Sequence, residues 1–171
     1  KKGLNYGNKK ITVSTSGIAN KISEAAVEIG TYLALSLHAP NDRLREEIMP
    51  INKKFKINDL IKQLKYYTSV VKEPIFLEYV MLKGVNDTAE CAEQLTKIMS
   101  QFPSKLNLIE FNSWPGVKFE PTQRKDIEKF SKIIQEKGYM SFIRRSRGND
   151  VLAACGQLKT ESERKKIYQK N

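Results

Sequence analysis

Tyr32-Leu33-Ala34-Leu35-Ser36-Leu37 runs straight into His38-Ala39-Pro40-Asn41-Asp42. Six residues of nearly continuous apolar character mark a strand covered on both faces, the way parallel strands read in α/β proteins. The segment after it is polar and turn-forming and carries the only histidine of the chain. A buried strand that opens abruptly into such a segment predicts a site at the strand's carboxyl end.

The same unit recurs on either side. Upstream, Ile11-Thr12-Val13 is a short β-branched run that opens into the hydroxyl-rich Ser14-Thr15-Ser16-Gly17. Ile22, Ala25, Ala26 and Ile29 then fall at helical spacing, and Gly30 is placed to end that helix. Downstream, a short charged helix is expected over Arg43 to Ile48, stopped by Pro50. Ile57, Leu60, Ile61, Leu64 and Tyr67 form the apolar stripe of a longer one. Ile75-Phe76-Leu77-Glu78-Tyr79-Val80-Met81-Leu82 predicts a third strand leading to Gly84-Val85-Asn86-Asp87. Asp87 and Glu90 have capping-box spacing ahead of the stripe Cys91, Leu95, Ile98 and Phe102, so Cys91 reads as core packing. Leu106 to Phe111 is the fourth strand and opens into Asn112-Ser113-Trp114-Pro115-Gly116. A helix through Ile127, Phe130, Ile133 and Ile134 stops at Gly138, and Met140 to Ile143 is the fifth strand.

Five β-α units in succession argue a parallel sheet built of right-handed crossovers, with the ligand end where strands feed the following helices. Every such junction here is polar. Five strands are too few to close an eight-stranded barrel, so the chain reads as the back part of a (β/α) TIM-like barrel with at least one unpaired sheet edge, expected to associate or aggregate alone. Residues 1–158 are assigned to that barrel portion, and residues 159–171 to a charged carboxy-terminal tail.

Composition narrows the function. Thirty Lys+Arg against nineteen Asp+Glu give the 171 residues a formal charge of +11, which favours a polyanionic partner such as RNA. No apolar run approaches the roughly 20 residues of a membrane helix. Two cysteines and one histidine exclude a disulfide scaffold, a three-cysteine cluster site and a His-rich zinc site within the chain, and point to the reducing cytoplasm.

Near the carboxyl end, Phe142-Ile143 breaks into Arg144-Arg145-Ser146-Arg147, a Gly148-Asn149-Asp150 turn, and Val151-Leu152-Ala153-Ala154-Cys155-Gly156-Gln157-Leu158. Alanine and glycine beside Cys155 leave room for a large substrate to approach the sulfur, and the arginines would attract phosphates and favour a thiolate. Taken locally, a small buried hydrophobe is the commoner reading of a free cysteine such as Cys155.

Ser14-Thr15-Ser16-Gly17, Leu35-Ser36-Leu37-His38-Ala39-Pro40-Asn41-Asp42, Pro50-Ile51-Asn52-Lys53-Lys54, Glu78-Tyr79-Val80-Met81-Leu82, Val85-Asn86-Asp87, Asn107-Leu108-Ile109 and Ala153-Ala154-Cys155-Gly156-Gln157-Leu158 together resemble the RlmN family over nearly the whole chain. These are bacterial radical S-adenosylmethionine (SAM) enzymes that methylate carbon 2 of an adenine in large-subunit rRNA and in tRNA. The resemblance implies a partial radical SAM barrel, SAM and a 4Fe-4S cluster as cofactors, an electron donor for the cluster, rRNA and tRNA as partners, no membrane, and a cytoplasmic location. Carbon 2 of adenine is electron-poor and does not attack a methyl sulfonium directly. The family route passes through a cysteine at the position of Cys155, which is first S-methylated, then converted to a methylene radical that adds to the base, and is finally released by a second cysteine.

The resemblance carries Ser14, Ser36, Leu37, His38 and Asn112 onto SAM-contacting positions, Leu37 through its backbone, and makes Cys155 catalytic. Arg144, Arg145 and Arg147 are the expected RNA contacts. The family's Cys-x-x-x-Cys-x-x-Cys motif, its resolving cysteine and its proton-accepting acid have no counterpart here and are expected ahead of Lys1. Ser113 stands where the family has a proline, with Pro115 and Gly116 retained. Two alternatives remain: an RNA-binding remnant unable to do the chemistry alone, and an enzyme like Cfr, which methylates carbon 8.

Overall fold

The structure is a computed structural model that describes residues 7, 10–113 and 116–144. Arg145, Arg147, Cys155 and the expected tail lie outside the described residues. Five parallel strands form one sheet in the order β1-β2-β3-β4-β5, each paired with its neighbour in sequence. They are β1 (Thr12–Thr15), β2 (Tyr32–Ser36), β3 (Ile75–Met81), β4 (Ser104–Glu110) and β5 (Ser141–Arg144). The helices are α1 (Ala19–Glu28), α2 (Asp42–Ile48), α3 (Ile57–Val71), α4 (Ala89–Met99) and α5 (Arg124–Glu136), with a 3-10 turn at Pro50–Lys53. Alternating strands and helices therefore give the partial α/β barrel that the apolar runs predict.

The apolar stripe of α3 is realised residue by residue: Ile57, Leu60, Ile61, Leu64 and Tyr67 are all buried. They pack with Leu33, Leu35, Leu77 and Tyr79 of the sheet in one continuous core, which extends through Cys91, Leu95 and Ile98 to Ile127, Phe130 and Ile134. Each fully buried leucine or isoleucine contributes about 2 kcal/mol. The end of α5 is set by Gly138, whose φ of 85° suits the left-handed turn there. Tyr139 N–H then reaches back to the carbonyl of Ile134 at 3.2 Å.

One local expectation is corrected. The side chain that caps α4 is Thr88, which accepts the N–H of Cys91 at 3.2 Å, not Asp87. Asp87 is drawn into the preceding loop, where its carboxylate accepts from Gly84 N–H and from the Thr122 hydroxyl, both at 2.9 Å. A threonine one residue later offers the same acceptor oxygen, so a loop that recruits the aspartate loses nothing at the helix.

The two faces of the sheet differ. Along β3 burial alternates strictly, with Ile75, Leu77, Tyr79 and Met81 buried against the helices and Phe76, Glu78 and Val80 half-buried on the other face. Register then places whole rows on that second face, because partners in a parallel pair point the same way. Ser14, Ala34, Phe76 and Lys105 form one row, and Ser36, Glu78, Asn107 and Phe142 the next. Val80, Ile109 and Arg144 form the row nearest the strands' carboxyl ends. Tyr32 packs edge-on to Phe76 at the opposite end, ring centroids 6.1 Å apart.

Candidate functional site

The carboxyl end of β2 is held in place by three side chains that the sequence does not mark as a site. Pairing with β3 continues past Ser36, since the N–H groups of Leu37 and His38 both donate to the carbonyl of Glu78, at 3.0 and 3.2 Å. His38 then turns left-handed, with φ 58°. That conformation costs a β-substituted residue about 1 kcal/mol and persists only when its surroundings fix it.

Asn86 supplies the fixing. Fully buried, it donates from Nδ2 to the carbonyls of His38 (2.8 Å) and Val80 (2.7 Å), while its Oδ1 accepts Leu82 N–H at 2.8 Å. Its own carbonyl accepts the Tyr79 hydroxyl at 2.8 Å. The amide thus spends every donor it has on joining the end of β3 to the loop after β2.

Arg45 does the same from below. This arginine of α2 is completely buried. Its Nε donates to the Leu37 carbonyl at 3.1 Å, Nη2 to the carbonyls of Ser16 (2.8 Å) and Ser36 (3.2 Å), and Nη1 to Asn52 Oδ1 at 3.0 Å. One guanidinium therefore ties the ends of β1 and β2 to the 3-10 turn. Asn52, also fully buried, passes the chain on by donating to Asp42 Oδ1 at 2.9 Å, and the same oxygen accepts Ile57 N–H to start α3. Gly17 allows the close approach: with φ 100°, a Cβ there would stand 2.9 Å from Arg45 Nη2.

His38 is neutral in this setting. Its Nδ1 accepts Val80 N–H at 3.2 Å, which leaves the ring proton on Nε2. Burial first, and the charge of Arg45 second, lower its pKa from 6.5 to about 4, against the Glu78 backbone hydrogen bond that raises it. Because the folded value is the lower one, the unfolded chain takes up the proton first as pH falls. This contribution is complete above pH 6.5 and is lost as pH drops from 6.5 toward 4. At about 1.4 kcal/mol per unit it amounts to about 3 kcal/mol. We expect urea unfolding of the full-length protein to show that loss relative to His38→Asn, whose side chain tolerates the left-handed turn and does not titrate. Parallel pH profiles for the two would refute it.

The described residues among those singled out from sequence lie in or just after the strands, toward their carboxyl ends. Ser14 lies on β1, Ser36 ends β2, Leu37 and His38 follow it, and Asn112 follows β4. Leu37 sends its side chain into the core, 1% exposed, so only its backbone faces the rim, and there the N–H is bound to Glu78 and the carbonyl to Arg45. Arg144 lies on the uncovered face with Nη1 3.9 Å from Glu78 Oε1. Cys91 is buried, as its helical stripe predicts. Among the described residues no group of three or more His, Cys, Asp or Glu side chains could hold a metal, and no helix is long and apolar enough to cross a membrane.

This architecture is that of the radical SAM enzymes. A radical SAM methyltransferase from Sphaerobacter thermophilus superposes with a TM-score of 0.86 at 38% identity, covering 91% of this chain and 46% of that one. A domain of a pyruvate-formate lyase-activating enzyme from Bacteroides vulgatus shares the fold at 12% identity, with a TM-score of 0.61, over 78% of this chain and 80% of that one. No family model matches the chain. In sequence it is 48% identical to the dual-specificity RNA methyltransferase RlmN of Xanthobacter autotrophicus over 163 residues, and 47% identical to that of a Chelativorans species over 165. The chain belongs to the RlmN family. These matches take in 95% and 96% of the chain but only 39% and 40% of the relatives' length.

Proposed function

We propose that this chain is the cofactor-facing part of a SAM-dependent RNA methyltransferase that methylates carbon 2 of adenine in large-subunit rRNA and in tRNA, with Cys155 as the methyl carrier. One observation carries the reading: the Ser36-Leu37-His38 stretch is locked by Arg45, Asn86 and Glu78 at the rim of an uncovered polar sheet face, in a chain with this kinship.

The residues present fit SAM. Hydroxyls on Ser14 and Ser36, the Glu78 carboxylate and the Asn107 amide share one uncovered face, a donor and acceptor set suited to an adenosyl group. SAM would supply the methyl group and, on reductive cleavage, the adenosyl radical. Ser14, Ser36, His38 and Asn112 would hold it, with the Leu37 carbonyl offering the lone pair that Arg45 leaves free. The described residues do not fit a 4Fe-4S cluster, since Cys91 is the one cysteine among them. An external electron donor and a cytoplasmic setting complete the proposal.

On the RNA side, the +11 charge supports phosphate contacts, assigned to Arg144, Arg145 and Arg147. Cys155 answers a chemical need, since an electron-poor ring carbon requires a reactive carbon delivered to it, and a thioether on the protein can furnish one.

Nucleoside analysis of RNA treated with the full-length, cluster-loaded protein and methyl-labelled SAM should find the label in 2-methyladenosine. Label in 8-methyladenosine would transfer the reading to Cfr-like chemistry. Salt-sensitive RNA binding without methylation would leave an RNA-binding module.

A further inference from the structure

We propose that Glu78 is a further ligand-positioning residue, its carboxylate accepting the two ribose hydroxyls of the adenosyl group beside Ser36; this rests on the cofactor reading above. Glu78 is the direct partner of Ser36 across the β2–β3 pair, and the two side chains leave the sheet on the same face. Neighbouring strands lie about 4.8 Å apart, so a ligand seated on the Ser36 hydroxyl is within reach of the carboxylate. The spacing is also rigid. The carbonyl of Glu78 takes the N–H groups of both Leu37 and His38, which fixes the carboxylate to the very loop the cofactor is assigned to touch.

The side chain of Glu78 is 20% exposed, and among the described residues its one ion pair is with Arg144 Nη1 at 3.9 Å, longer than a hydrogen bond. The adjacent cation on this face, Lys105, lies over the Phe76 ring one row away, 5.7 Å from its centroid. An ionised carboxylate only accepts hydrogen bonds, so the ligand group it meets must donate. A vicinal diol presents two donors to its two oxygens, the pairing by which acidic side chains recognise ribose in dinucleotide sites.

The test is calorimetric, on the full-length, cluster-loaded protein, with S-adenosylhomocysteine and its 2′,3′-dideoxy analogue as probes. Glu78→Gln, isosteric and uncharged, should weaken S-adenosylhomocysteine binding by about 10-fold or more, as expected for a lost charged hydrogen bond, while binding the dideoxy analogue as the unsubstituted protein does. Glu78→Asp, which keeps the charge but shortens the reach, should show the same selective loss. Equal losses on both probes, or no loss on either, would overturn the assignment. Ser36→Ala separates the two levels of inference. If it weakens binding while Glu78→Gln does not, only the role of Glu78 falls, and if neither weakens binding, the cofactor reading of the rim falls with it.

Discussion

Replacing Arg45 with methionine should destabilise the protein by about 2–6 kcal/mol, the cost of leaving two buried acceptors unpaired. Four acceptors lose their donor together: the carbonyls of Ser16, Ser36 and Leu37 and the side-chain oxygen of Asn52. Water can reach the first two, whose residues are not buried, but Leu37 and Asn52 are 1% and 0% exposed. A buried acceptor left unpaired costs about 1–3 kcal/mol. Against a total stability of about 5–15 kcal/mol this is severe. Urea midpoints are the measurement, and a variant within about 1 kcal/mol of the parent, less than one orphaned acceptor costs, would contradict the role given to this side chain. The loss should also appear at the rim, because the guanidinium is what holds the ends of β1 and β2 together.

The largest expected effect on activity belongs to Cys155→Ser, which should reduce methyl transfer to RNA below detection in the full-length enzyme. A thiol with an ordinary pKa near 8.5 is already a few per cent thiolate at neutral pH, and thiolate is a strong nucleophile toward a methyl sulfonium. A serine hydroxyl is neither ionised nor comparably nucleophilic, and its ether could not support the same radical. Cys91→Ser is the matched control. Cys91 sits buried on α4, so the hydroxyl should cost about 1–2 kcal/mol of stability and leave turnover intact. Methyl label recovered on the Cys155 peptide would agree with the carrier role, whereas label on Cys91, or normal activity in Cys155→Ser, would end it.

The strands and long helices were legible because burial imposes a period on apolar residues. Tyr32 to Leu37 and the α3 stripe of Ile57, Leu60, Ile61, Leu64 and Tyr67 announce their elements without reference to anything distant. The parts that shape the site carry no such signal. Arg45 looks like one more charge on a short charged helix, and only the fold shows it turned inward under three backbone carbonyls. Asn52 and Asn86 stood in recognisable motifs, yet nothing local says that one anchors a guanidinium and the other clamps His38. Asp87 carries the capping-box spacing, yet a contact to Thr122, 35 residues on, draws it into the loop and leaves the cap to Thr88. Polar residues act through partners remote in sequence, whereas apolar ones act through a shared interior that any of them can join.

The strict alternation along β3 has a consequence for how such an enzyme changes. Ile75, Leu77, Tyr79 and Met81 are committed to the helices, while Phe76, Glu78 and Val80 meet only their neighbours on the open face and what lies across it. Exchanges on the second set alter ligand preference with little penalty to folding, since their removal empties no packed interior. A lineage could therefore reshape what this face holds by rewriting every second residue of a strand, keeping the intervening ones as an unchanged frame.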